Sequence, residues 1–118
     1  MAWEILYYED QTGHESVAAE IAEFPRKAQA KVLRFIDLLE QEGPVTIGGG
    51  YVRHVEGDVW ELRIDFANDR FRILYFVVVD RTIALLRAFE KKTQRTPPLE
   101  IATAARRLDD FTRRTGQG

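Results

Sequence analysis

Residues 60–77 read WELRIDFANDRFRILYFV, and two apolar sets run through them at period two. Trp60, Leu62 and Ile64 alternate with Glu61, Arg63 and Asp65; Phe71, Ile73, Tyr75 and Val77 alternate with Arg70, Arg72, Leu74 and Phe76. Period two belongs to strands, whose successive side chains leave on opposite faces. The link around Phe66–Asp69 predicts an antiparallel hairpin. The first apolar set is even-numbered and the second odd. One shared apolar face therefore requires opposed residues whose numbers sum to an odd value, and hence a loop of even length. Asn68-Asp69 alone, or Phe66 to Asp69, satisfies this; a slip by one residue would turn one set outward. In that register Arg63 and Arg72 share the other face with Glu61 and Arg70, and cross-strand ion pairing is the plain account of those charges.

Working outward, RTIALLRAF (81–89) is apolar on both faces and predicts a third, central strand of the same meander. Upstream, FPRKAQAKVLRFIDLLEQEGP (24–44) is the clearest helix, with Ala28, Val32, Phe35, Ile36 and Leu39 at helical spacing. Pro25 suits its first position and Gly43-Pro44 its end. VTIGGGY predicts a loop over about 43–50, since it lacks the strand-to-helix setting and Lys-Ser/Thr pair of a phosphate-binding loop. Residues 2–8 predict a first strand and 14–23 a short helix. Thr96 and Pro97 open a last helix reaching about Arg114, with Ile101, Ala104, Ala105, Leu108 and Phe111 on one stripe. A frayed tail is expected over 115–118. The predicted order is β-α-α-β-β-β-α in one domain over 1–118. This is an α+β fold with a mostly antiparallel sheet, helices packed on one face, and the arginines on a face only partly covered. Trp60, in step with Leu62 and Ile64, is expected in the core.

Composition narrows the function. With 118 residues, 45% of them hydrophobic, the chain can fill one core. It has no apolar run of membrane-spanning length, and its N-terminus lacks the pattern of a signal peptide. The absence of cysteine removes thiolate metal sites and disulfides and suits a reducing, cytoplasmic setting. His14 and His54 fall in different elements without spaced acidic ligands, and Ser16 has no nucleophile-elbow context, so no metal, other cofactor or serine-hydrolase triad is expected. The formal net charge is −2, yet residues 51–118 are basic and residues 1–50 acidic. That division permits a local basic face on an acidic protein. FEKKTQRTP (89–97) supplies Lys91, Lys92 and Arg95 to it, beside Arg63, Arg70 and Arg72 of the hairpin. Clustered like charges are unfavourable unless acids or an anion compensate them, and phosphate matches the guanidinium fork. Arg26, Lys27 and Arg34 on the long helix form a solvated face instead.

The series VEGDVWELRIDFANDRFRILYF and LLRAFEKKTQRTP, after the Pro-led KVLRFIDLLEQEGP helix, resembles the RelE/HigB superfamily of toxin–antitoxin endoribonucleases, in particular its phage-derived HigB-like branch. The likeness runs from about Trp3 to Arg114. It implies a RelE-like fold, an endoribonuclease that enters the ribosomal A site and cuts mRNA, and a small cognate antitoxin, often of helix-turn-helix type; with no metal site expected, the cleavage is expected to be metal-independent. By the same likeness Arg63, Arg72, Lys91 and Lys92 are catalytic candidates, and Arg70 and Arg95 are left to hold RNA backbone. Glu61 stands where RelE has a lysine, and the RelE tyrosine falls near Pro97-Pro98. A non-catalytic RNA- or ribosome-binding module, or a module working through protein contacts alone, is the alternative.

Overall fold

The computed structural model describes residues 2–116. The chain runs β1 (Glu4–Tyr7), α1 (Ser16–Ala22), α2 (Arg26–Ile47), β2 (Val52–Glu56), β3 (Val59–Phe66), β4 (Asp69–Val78), β5 (Thr82–Lys91) and α3 (Pro98–Thr115). One five-stranded sheet in the order β1-β5-β4-β3-β2 results. Only β1–β5 is parallel; the other three pairings are antiparallel. The α+β class is as the sequence predicts, with one strand more: β2 was not anticipated.

The hairpin register keeps the required parity. Trp60 opposes Tyr75, Leu62 opposes Ile73 and Ile64 opposes Phe71. The turn itself is Ala67-Asn68, closed by the Phe66–Asp69 pair, one residue earlier than the shorter expected loop. Ala67 takes the left-handed conformation this turn needs (φ 55°). Leu62, Ile64, Phe71 and Ile73 are fully buried on the face that meets α2. There Ala28, Val32, Ile36 and Leu39 form the buried stripe of the helix, and the Phe24 ring meets that of Phe71 at 4.7 Å, tilted by 49°. Trp60 departs from expectation. It is 38% exposed, at the rim of this face, with its ring 5.1 Å from that of His54.

Gly43 ends the regular part of α2 with φ 80° and ψ 164°, and Pro44 starts one more helical turn running to Ile47. The expected loop is correspondingly shorter. Pro25 stands one position before the helix rather than inside it, and the same holds for Pro97; Pro98 is the first residue of α3. α3 packs against β5, β4 and β3 from the Glu61/Leu74/Arg87 side, burying Ala104 and Phe111. Ala105 remains exposed. α1 lies along β5, where Glu20 accepts the Ala88 N–H at 3.0 Å. The expected frayed tail lies partly at residues 117–118, outside the described residues. Gly116 closes α3 in the left-handed conformation (φ 71°), its N–H donating to the Thr112 carbonyl.

Candidate functional site

The polar face of the sheet is assembled by strand register. Arg63 on β3 lies directly opposite Arg72 on β4. Arg70 lies between Asp65 on one side and Lys91 on the other. From the edge, β2 sets Arg53 opposite Glu61. Four cations (Arg53, Arg63, Arg72 and Lys91) thus gather around two carboxylates, Glu61 and Asp65.

Burial sorts them. Arg72 is 1% exposed and Glu61 is fully buried. Arg72 Nη1 donates to Asp65 Oδ1 and to the Phe71 carbonyl, both at 2.9 Å. Its Nε lies 3.8 Å from Glu61 Oε1, too far for a hydrogen bond, and neither atom has a hydrogen-bond partner among the described residues. The second Glu61 oxygen accepts a hydrogen bond from the Thr96 hydroxyl. Thr96 therefore does not cap α3, as its sequence position suggests; it ties the segment before the helix down onto β3. Lys91 is only 6% exposed. Burial, the main cause, lowers the pKa of its ammonium; Glu61 opposes this, and Arg72, Arg63 and Arg53 add to it. Arg63 is half-buried and Arg53 exposed, and neither has a carboxylate within ion-pairing distance among the described residues.

The remaining candidates are solvent-exposed at the margin of this cluster. Lys92 is exposed and bonded to Glu90 at 2.8 Å, a contact that raises its pKa. Arg70 is exposed near the Ala67-Asn68 turn, and Arg95 is exposed just before Thr96. The fold therefore brings together Arg63, Arg72 and Lys91, and sets Lys92, Arg70 and Arg95 around them. The sequence did not single out Arg53, Thr96 or the buried state of Glu61. For Glu61 a signal was present: its strand neighbours place it diagonally from an arginine embedded in an apolar run. For Arg53 there was none, because its strand was not recognised.

A site with more fixed cations than anions, partly desolvated, has the chemistry of an oxyanion receptor. Arg63 can present a fork to a phosphate, and a lysine with a lowered pKa can exchange a proton near neutrality more readily than a solvated one. Among the described residues no three His, Cys, Asp or Glu side chains converge.

Residues 19–109 match the family described as Phage derived protein Gp49-like (DUF891). The chain belongs to this Gp49-like family. It is a HigB-like member of the RelE/HigB superfamily. Over 97 residues, 82% of this chain and 74% of the relative, it is 33% identical to the "Probable endoribonuclease HigB1" of Mycobacterium tuberculosis, in strains CDC 1551 and H37Rv alike. The Gp49-like match spans α2 to α3, and so covers every strand that builds the cationic face.

Proposed function

We propose that this HigB-like chain is the toxin of a type II toxin–antitoxin pair and a ribosome-dependent mRNA endoribonuclease. The convergence of Arg63 and Lys91 over the buried Glu61–Arg72 pair carries this reading, on a chain similar to a probable endoribonuclease. The RNA 2′-hydroxyl attacks the adjacent 3′ phosphorus. The P–O5′ bond then breaks, leaving a 2′,3′-cyclic phosphate and a 5′-hydroxyl. Arg63 holds the phosphate oxygens as negative charge builds on them. Arg72, locked from below, supports them electrostatically. The 2′-hydroxyl gives up its proton to solvent water as it attacks, and Lys91 donates a proton to the leaving O5′. Lys92, Arg70 and Arg95 steer the RNA backbone. Ribosome-held mRNA supplies the alignment that a shallow site does not. A cognate antitoxin, of helix-turn-helix type or another small fold, neutralises the toxin by covering the cations.

Induced expression followed by mapping of mRNA 5′ ends tests the reading. Growth arrest with fragments bearing 5′-hydroxyl ends is expected; 5′-phosphate ends would overturn the chemistry. Pro97 and Pro98, standing at the entry to α3 where RelE has its tyrosine, favour a second reading, an RNA-binding module without cleavage. Altered translation without fragments would select it.

A further inference from the structure

Beside the cationic cluster lies an open groove of about 450 Å³ between β2 and the segment that enters α3. Arg53 and Arg95 line it with His54 and Thr96, and Pro98 and Ile101 form an apolar wall. Among the described residues no carboxylate lines it. The groove on the other flank differs: Arg70, Lys91 and Lys92 there share the surface with Asp69 and Glu90, and Lys92 is already paired. The two flanks are thus unequal in charge, and only the Arg53 side leaves its cations uncompensated by lining acids. The groove is also continuous with the cluster. Thr96 lines it while holding Glu61, and strand register sets Arg53 opposite that same Glu61. Its volume falls within the range of small-ligand sites, roughly 300–1,000 Å³. Two guanidinium groups without an ion-pair partner among the described residues, beside an apolar wall, match a phosphodiester with its ribose or base.

We infer that this groove is a second subsite for single-stranded RNA, in which Arg53 and Arg95 hold the phosphate of the nucleotide next to the one cut. The inference rests on the endoribonuclease reading for the words "next to the one cut", and on the groove alone for RNA binding. Arg53 is then a binding residue and Lys91 remains the group at the reacting bond.

Fluorescence anisotropy with a labelled six-nucleotide RNA, 2′-O-methylated throughout so that it cannot be cut, tests this. The full chain should bind the oligomer with an affinity that falls with salt. Arg53→Ala and Arg95→Ala should each weaken binding about tenfold and lower the log–log salt slope by about 0.7, the value for one phosphate contact on a single strand. Arg53→Lys should keep the slope while losing part of the affinity, and Arg34→Ala on the far helix should behave as wild type. Melting curves establish that the variants fold. Wild-type affinity and slope in Arg53→Ala, or no binding by the wild-type chain, would overturn the subsite. Failure of the enzymatic reading is separate: it is seen as uncut mRNA in cells while Arg53-dependent binding persists.

Discussion

At the scale of the residue, Arg72 decides how substitutions in this site are to be read. It heads the fully buried side chains of the described residues by volume, although its parity along β4 places it with the polar set. Removing it leaves Glu61 buried and uncompensated, which costs about 3–5 kcal/mol where one partner of a buried pair is lost. Loss of toxicity in Arg72→Ala would therefore report unfolding as readily as lost chemistry. The expected outcome in urea denaturation is a large loss of stability for Arg72→Met and recovery of most of it in Arg72→Met/Glu61→Leu, since the apolar pair removes both charges. The sequence held the clue in FRILYF. An arginine flanked by residues that are apolar on both faces belongs to a strand covered from both sides, and alternation alone does not reveal that. Lys91 gives a second prediction at this scale. NMR titration of its side-chain ε position should show a pKa below the usual 10.5. Glu61→Gln should lower it further, and Arg63→Ala or Arg53→Ala should raise it. Shifts of the opposite sign would contradict the cluster geometry.

At the scale of the element, the hairpin and the two long helices were legible because each repeats its period for several turns or pairs. β2 was not, and the cause is local. Register shifts between His54 and Glu56, so Val55 is an extra residue, and Val52 and Val55 both reach the core although they stand three apart. A bulge thus breaks the alternation that identifies a strand, in a short, polar edge strand that follows three glycines. Arg53, the cation that sequence analysis lacked, was lost with it. The kink in α2 shows the reverse case: Gly43 signals a stop in the sequence, but its packing does not show there. A Cβ at Gly43 would lie 2.4 Å from Trp3 Nε1, and the backbone there is left-handed. Gly43→Ala should therefore destabilise the fold by about 2 kcal/mol or more. Adding Trp3→Phe, which removes the clashing nitrogen, should recover part of that in thermal melts. Equal melting temperatures for Gly43→Ala and wild type would mean that the kink is not held as described.

At the scale of the molecule, α3 is fastened at both ends by charge. Near its start, Glu100 takes Arg87 Nε at 2.6 Å, and Glu20 of α1 takes Arg87 at 2.7 Å and Arg107 at 2.8 Å. Near its end, Asp110 accepts the Tyr8 hydroxyl at 2.7 Å and Arg114 at 2.9 Å. The Arg114 bond, with Tyr8 second, holds the Asp110 carboxyl well below its ordinary value of 3.8. A carboxylate depressed in the fold stabilises it fully above the unfolded pKa, and the contribution is lost as pH falls below 3.8 toward the folded value. Asp110→Asn should accordingly lower stability at neutral pH and flatten the acid limb of the stability–pH curve. Urea midpoints measured across that range check both. An unchanged acid limb would mean that Asp110 does not couple α3 to Tyr8, just after β1, in this way. Apart from Asp110–Arg114, which are four residues apart on α3, these pairs were not legible, because each joins different elements whose polar groups look like ordinary surface groups one at a time.

The parallel pairing of β1 with β5 has a consequence for the order of biosynthesis. Glu4 meets Thr82 across 78 positions, and translation adds about 5–20 residues each second. The first strand therefore waits roughly 4–16 s for its partner to be made. Its four residues, opening on Glu4, are too few to template another chain during that wait. Lys91 and Thr96 emerge later still, so the cationic cluster is completed only at the end of the last strand. A nascent or prematurely ended chain holds the arginines of the hairpin but not the lysine they surround.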